Sequence, residues 1–301
     1  MKPAGVINAF TVDVEDYFQV SGFERQIARQ DWDGFESRVV PSTRKILHLL
    51  EEKGVRGTFF ILGWVAKKFP GLLREIRAGG HELASHSFWH RLIYSLTPEE
   101  FRQDLRDSKA AIEDAAGVAV TAYRAPSFSI TRKSFWALEI LVEEGFTIDS
   151  SVFPVNHDRY GIPGGKASIH RIATPSGPIL EFPMTAVGPS RYAFPVGGGG
   201  YFRLYPLWLT RRLLQHVNRQ ARRPFAFYIH PWEVDPEQPR LRAGSFSSRL
   251  RHYVNLQPTI AKLSKLLDDF CFGTLRESVE KYQEICCLSE LPATEVTCPS
   301  R

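Results

Sequence analysis

The stretch TVDVEDY, Thr11–Tyr17, closes an apolar run (Val6, Ile7, Ala9, Phe10) with three carboxylates, Asp13, Glu15 and Asp16, inside four residues. The run reads as a buried strand over residues 6–14. Residues two apart on a strand share a face, so Asp13 and Glu15 point to one side, and Asp16 lies opposite or just inside the following loop. Clustered carboxylates repel, and each is driven towards its neutral form unless a cation stands among them. A core strand that ends this way asks for a bound cation.

Outward from this strand the chain alternates. PSTRKILHLLEEKG reads as a helix with Ser42 or Thr43 as N-cap and Gly54 as stop, followed by the strand VRGTFFIL. WVAKKFPGLLREIRAGG is a helix interrupted at Pro70, and HELASH is a short strand. TPEEFRQDLRDSKAAIEDAAG opens with Thr97 as cap, Pro98 at the first helical position and Glu100 at the third, a capping box. TAYRAPSF (strand), TRKSFWALEILVEEG (helix) and FTIDSSVF (strand) continue the rhythm; YPLWLTRRLLQHVNRQ and RPFAFYIH resume it after a Gly/Pro-rich stretch over 152–205. Strands separated by single helices give a parallel sheet with right-handed crossovers. The expected fold is α/β, a closed or nearly closed β/α barrel, with a doubly wound open sheet as the alternative. Within 152–205, VGGGGYF reads as a mobile loop over a cleft or as a plain connector.

Functional groups of parallel α/β folds gather at the carboxyl ends of the strands. Five predicted strand ends carry polar or ionisable groups: Asp13/Glu15/Asp16, SHSFWH, YRAPSF, DSS and IHPWE. His86 and His90 would sit roughly 13 Å apart on an extended strand. On a helical turn their Cβ atoms would lie about 5–6 Å apart, close enough to share one ion. Two His and one carboxylate with open positions describe a catalytic rather than a closed structural metal site. One acid can then ligate, leaving Asp13 as a free base; strand parity favours Glu15 as the ligand, and nearness to the loop favours Asp16. Zinc suits these ligand types best, with cobalt, nickel or manganese as alternatives. His81, at the start of its strand, reads as structural.

The ordered set TVDVED, HSFWH, RAPSFS, DSS and FYIH resembles the five motifs of the polysaccharide deacetylases, the NodB-homology group of carbohydrate esterase family 4. More narrowly, TVDVEDYFQV, IDSSVFP, EFPMT and HYVNLQPTIAKLSKLLDDFCFGTL resemble the branch found in exosortase-associated exopolysaccharide loci. The resemblance spans roughly residues 6–276. It implies a distorted (β/α) barrel of the NodB-homology type, a single domain over 1–276 with a branch-specific C-terminal segment from about 235 and a tail over 277–301. It also implies metal-dependent removal of acetyl from N-acetylhexosamine units of an exopolysaccharide or its lipid-linked precursor. Carried over by residue, Asp13 is the general base, His86 and His90 are metal ligands, Arg124 orients Asp13, Asp149 supports the catalytic histidine, and His230 is the general acid. A backbone N–H near Phe128 would face the oxyanion. Phe128 and Trp232 are candidate sugar-stacking faces, with core packing the alternative for each. The other readings are a hydrolase of a small linear or cyclic amide and a glycan-binding module without catalysis.

Bulk properties set the remaining limits. The chain has 301 residues, 43% hydrophobic and 24% charged, as in ordinary globular proteins. No apolar run reaches 18 residues, so no membrane-spanning helix is expected, and the first residues do not read as a secretory signal. The net charge of +5 is carried mostly by Arg-rich helices without interleaved stacking aromatics, which argues against a nucleic-acid partner. Cys271, Cys286, Cys287 and Cys298 have no metal-ligand spacing and suggest no disulfide framework. The expected location is cytoplasmic, at the inner membrane face if the substrate is lipid-linked; the oligomeric state is not legible.

Overall fold

The computed structural model describes residues 5–157, 159–189 and 192–286. In chain order the elements are β1 (Asn8–Val14), α1 (Val39–Lys53), β2 (Thr58–Ile61), α2 (Gly63–Lys68), α3 (Pro70–Ala78), β3 (Glu82–Ser85), α4 (Pro98–Ala116), β4 (Ala122–Tyr123), α5 (Trp136–Glu143), β5 (Ile148–Asp149), β6 (His170–Thr174) and β7 (Gly177–Glu181). There follow β8 (Ala186–Val187), β9 (Phe194–Pro195), α6 (Gly199–Leu204), α7 (Leu207–Arg219), β10 (Ala226–Ile229), α8 (Phe246–Tyr253), α9 (Thr259–Asp269), β11 (Phe272–Gly273) and α10 (Leu275–Cys286).

The main sheet runs β10-β1-β2-β3-β4-β5-β7-β6, parallel throughout except for the β6–β7 hairpin. Its two ends are drawn together by irregular backbone. Thr185, just after β7, exchanges two hydrogen bonds with Ala226 of β10 through its hydroxyl, and Val196 N–H donates to Thr185 O. Gly198 then pairs with Tyr228 as a parallel bridge. The result is a distorted barrel, and the open-sheet alternative falls.

Alternation sorts the side chains. Phe10, Val12, Val14, Phe59, Ile61 and Leu83 face outward into the layer packed beneath the helices. Ala9, Phe60, Ala84, Ala122, Ala226 and Tyr228 face the barrel interior, where small side chains keep the bore narrow. Asp13 shares the parity of Ala9 and so enters the interior at the carboxyl end of β1. Leu275 and Val279 of α10 plug the opposite end. His81 lies at that far end, its Nδ1 accepting the Gly57 N–H at 3.1 Å.

Most helix signals hold. Gly54 and Gly117 close α1 and α4 in the left-handed conformation, and the Thr97–Glu100 capping box is formed. The expected start of α1 is displaced: Arg38 is its N-cap, and Ser42 and Thr43 are buried inside its first turns. Pro41 needs no hydrogen-bond partner in a first turn, so the helix begins before it. VGGGGYF is neither a lid nor a loose connector. Gly198, at φ 124°, lies so close to β10 that a Cβ there would overlap Tyr228 O, and α6 starts at once behind it. The helix α10 runs past the boundary drawn at 276; residues 287–301, with Cys287 and Cys298, lie outside the described residues.

Candidate active site

Four strand ends and one turn converge on a cavity of about 210 Å³ lined by Asp13, Glu15, His86, His90, Phe128, His230 and Trp232 among others. Arg124, just after β4, is fully buried and spreads its fork beneath this cavity. One terminal nitrogen donates to Asp13 Oδ1 at 2.6 Å and to Thr11 Oγ1 at 2.7 Å; the other donates to Ser150 Oγ at 3.0 Å, and Nε to Ser150 O at 3.2 Å. The guanidinium lies over the Phe60 ring, 4.1 Å from its centroid. A buried guanidinium in this position pairs with the Asp13 carboxylate and fixes which of its oxygens faces the cavity.

Glu15, His86 and His90 each offer an atom, all within 4.8 Å of one another. The two histidines are not on a helical turn. The segment is a loop reversal in which Ser87 and His90 take positive φ (67° and 52°), and the ring centroids end 5.4 Å apart. The loop is held by Asp104 of α4, whose oxygens accept the N–H groups of Phe88 and Trp89 at 3.0 and 3.2 Å. Nothing local in the sequence pointed to Asp104, which lies more than a dozen residues away on another element.

Do these residues fit a divalent ion? His86 Nδ1 is 2.7 Å from Arg124 O, which fixes that nitrogen as the donor and leaves Nε2 with a lone pair. Burial pushes the His86 imidazolium down to about 4, so the ring is neutral, as a ligand must be. Glu15 Oε2 lies 2.6 Å from His90 Nε2, yet it is a buried oxygen without a properly directed hydrogen bond. Burial would raise the Glu15 carboxyl, but the charges of His90 and His230 and the His90 contact hold it far below the usual range. Two donor nitrogens and an orphaned carboxylate oxygen aimed at one point are what a three-ligand metal site presents. They fit.

Asp16 does not join them. Its carboxylate turns to the head of α1, accepting from Ser37 Oγ at 2.5 Å, from Arg38 N at 3.0 Å and from Val39 N at 3.2 Å. Free N–H groups at a helix start draw a carboxylate, so Asp16 is a cap rather than a ligand; burial nevertheless raises it to about 6.

Asp149 is also elsewhere. The parallel register of β5 and β7 sets it opposite Glu181, and both are buried. Asp149 Oδ1 accepts from Ser151 Oγ at 2.5 Å, while Asp149 Oδ2 and Glu181 Oε2 have no other partner. Burial raises both carboxyls, Glu181 most, and its interaction with Asp149 raises it further. Two such carboxyls hold one proton between them. The pair supports Arg124 through the Ser150–Ser151 segment and does not touch His230.

The partner of His230 is Glu233, three residues on in the turn after β10. Its Oε1 accepts from His230 N at 3.1 Å and lies 2.7 Å from His230 Nδ1. Its Oε2 accepts from Arg203 Nε of α6 at 2.5 Å. Arg203 also donates to the carbonyls of Arg251, His252 and Val254. Burial would lower the His230 imidazolium; the Glu15 charge, the Glu233 hydrogen bond and charge, and Asp13 outweigh it and hold it at about 9. Burial would likewise raise Glu233, but Arg203 and His230 bring it down to about 2. His230 Nε2 faces Glu15 Oε1 at 3.5 Å and Asp13 Oδ2 at 4.0 Å.

Trp232 and Phe128 both line the cavity and are otherwise packed. Trp232 stacks on His230 with centroids 5.0 Å apart and donates its indole N–H to Glu15 Oε1 at 3.2 Å. Phe128 meets Tyr228 edge-on at 5.1 Å. The Phe128 N–H closes a turn onto Ala125 O at 3.0 Å, so the expected oxyanion donor at that residue is already engaged.

Residues 33–145 match the family model described as polysaccharide deacetylase. Over this stretch the chain is similar to the polysaccharide deacetylases. Residues 150–280 match a second model, a domain of unknown function, DUF3473. Asp13 and Glu15 therefore precede the first match, and His230 and Glu233 lie in the second. A peptidoglycan-N-acetylglucosamine deacetylase of Bacillus cereus is 32% identical over 98 residues, 32% of this chain and 36% of that protein. Matches to the first such relatives cover only 18–48% of their own length. A solved Mycobacterium smegmatis structure assigned to the polysaccharide deacetylases aligns over 100% of this chain and 97% of its own, with TM-score 0.64 and 20% identity. A solved allantoinase aligns over 94% and 93%, with TM-score 0.60 and 12% identity. At these identities the two structures speak for the distorted NodB-type barrel alone.

Proposed function

We propose that this protein is a metal-dependent amide hydrolase that removes acetyl from N-acetylhexosamine units of a glycan. The observation that carries the reading is the meeting, in one cavity, of the Glu15–His86–His90 group, the Arg124-bound Asp13, and His230 held by Glu233. When bound, a divalent ion would be held by Glu15, His86 and His90, and would lower the pKa of a water and polarise the amide carbonyl. Asp13, with Oδ1 tied to Arg124, presents Oδ2 to take the proton of the attacking water. The water oxygen bonds to the acetyl carbon and the C–N bond breaks. His230 Nε2 gives its proton to the departing sugar amine, and acetate remains. Glu233 accepts the Nδ1–H and favours the imidazolium, so the cavity-facing Nε2 carries a proton to give.

In the Ala125–Phe128 turn the Ala125 N–H is taken by Ser151 Oγ and Pro126 has none, so the N–H of Ser127 would serve the oxyanion. Trp232 and Phe128 would bound the sugar. The finer reading is an exopolysaccharide or its lipid-linked precursor met in the cytoplasm, with zinc as the metal. Among the described residues no helix is long and apolar enough to cross a membrane. A hydrolase of small amides calls for an enclosed pocket, whereas this cavity shares walls with a second one. A binding-only module has no use for an Asp13–His230 pair.

The test is acetate release from N-acetylglucosamine oligomers by protein loaded in turn with zinc, cobalt, nickel and manganese, against a chelated control. Release that depends on the metal supports the reading. Hydrolysis of a ureide with no acetate from any sugar would replace it with the small-amide reading.

A further inference from the structure

Beside the catalytic cavity lies a second of about 250 Å³, and the two share Arg159, Tyr160, Tyr228, Trp232 and Arg251 in their walls. The shared wall is built. Tyr160 stacks on Phe153 (5.6 Å, 9° between planes) and its hydroxyl meets that of Tyr201 at 3.2 Å. The end of α8 is fixed where Arg251 O accepts from Arg203 at 2.9 Å. A groove thus leads from the reacting centre past Trp232 along aromatic faces, which suits a ligand longer than one sugar.

Its charge is one-sided. Among the described residues, the second cavity is lined by three arginines, Arg159, Arg203 and Arg251, and by no carboxylate. Arg203 is consumed by Glu233 and three backbone carbonyls. Arg159 and Arg251 are exposed and make no ion pair among the described residues; the Arg251 side chain only approaches Ser247 O, at 3.4 Å. In the first cavity, Asp13 and Glu15 are engaged by Arg124, His90 and Trp232, so they do not neutralise the rim. Some outer arginines, such as Arg44, Arg102 and Arg106, are matched with a glutamate, while others, such as Arg212 and Arg242, make no ion pair among the described residues, so it is their place on the cavity walls that sets Arg159 and Arg251 apart. Paired forks of this kind recognise planar or tetrahedral anions.

We propose that the groove beyond Trp232 is a subsite for an anionic group, carboxylate or phosphate, borne by the unit next to the N-acetyl sugar. This rests on the deacetylase reading above and names its substrate class: an acidic glycan or a phosphate-linked precursor, rather than a neutral homopolymer.

The experiment uses the metal-loaded full chain and three probes. These are hyaluronan oligosaccharides (N-acetylglucosamine alternating with glucuronate), neutral chitooligosaccharides of equal length, and uridine diphosphate N-acetylglucosamine. Acetate release gives kcat/KM, and tryptophan fluorescence gives equilibrium binding, at low and high salt. An acidic probe should exceed the neutral one by about 10-fold at low salt. Arg159→Gln and Arg251→Gln should each remove about 3- to 10-fold of that preference, through KM, and salt should erode it. A preference for hyaluronan assigns a carboxylate, and a preference for the nucleotide sugar assigns phosphate. Equal kcat/KM and equal binding for all three probes, or a preference that survives both substitutions, overturns the subsite while leaving the deacetylase intact. If no probe yields acetate, the deacetylase reading fails, and the binding measurement still decides the subsite.

Discussion

Replacing Glu233 by Gln keeps the shape of the His230 turn and removes one charge. At an effective dielectric constant of about 20, a carboxylate some 4 Å from an imidazolium is worth about 4 kcal/mol, or about three pK units. The His230 side chain is 17% exposed, so solvent trims this. We expect His230 to titrate about one to two pH units lower than in the parent protein, where it is held at about 9. The sign is fixed by its role: His230 must enter the cycle protonated, so the alkaline limb of kcat moves to lower pH. At neutral pH His230 would still be at least about half protonated, so kcat there should fall only about two- to tenfold, the part beyond the lost protonation coming from the weaker hold on Nδ1. KM should stay within about twofold. Arg203 loses its buried counter-charge but keeps three carbonyl partners. Destabilisation should therefore stay below the roughly 3–5 kcal/mol seen when a buried pair is broken outright. Acetate release from pH 5 to 10, with thermal unfolding in parallel, measures all three. A variant with parent-level kcat and an unmoved alkaline limb would show that Glu233 does not govern His230.

Three further outcomes follow from the geometry. Asp13→Asn should retain about one metal per chain by elemental analysis and release no acetate, while His86→Ala should lose both; an Asp13→Asn protein that still turns over would refute the base assignment. Glu181→Gln removes the second charge of the Asp149–Glu181 pair. Because Glu181 is raised in the folded state, its contribution to the parent protein's stability should be fullest below the ordinary carboxylate range and be lost as pH rises above that range through the raised folded-state value. Chemical denaturation should show the variant gaining on the parent from pH 5 to pH 8, and equal slopes would refute the shared proton. Gly198→Ala forces a Cβ onto Tyr228 O at a φ of 124°. A strain of about 3 kcal/mol or more should lower Tm by about 6–12 °C in a thermal melt, and an unchanged Tm would refute the close packing against β10.

The sequence exposed what depends on periodicity and on local stop signals. The parity of β1 separates Asp13 from Val12 and Val14, and that same parity carries Asp13 into the bore. Parity gives out where the strand ends, which is why Glu15 and Asp16 could not be told apart: the head of α1, more than twenty residues on, decides the matter by capturing Asp16. Asp149 was given to His230 by resemblance, but only the β5–β7 register shows that it faces Glu181. The true partner was within reach. HPWE repeats the logic of TPEE, with proline at the first position of the turn and glutamate at the third. Reading His230 as a cap would have found Glu233. The glycine run misled because glycine signals freedom in isolation, whereas here it is the residue that permits backbone to lie against backbone.

The two halves of the site differ in how they come into being. Proton donation is encoded in four consecutive residues, His230 to Glu233, and needs little beyond Arg203 to be set. The cation-binding half draws Glu15 from one strand and the histidines from a loop two strands away, held by a helix carboxylate. It cannot exist until β1, β2, β3 and α4 have assembled. Metal stoichiometry in a purified sample is therefore a count of correctly folded barrels, and holding the ion during renaturation should rescue chains that stall before the sheet is complete.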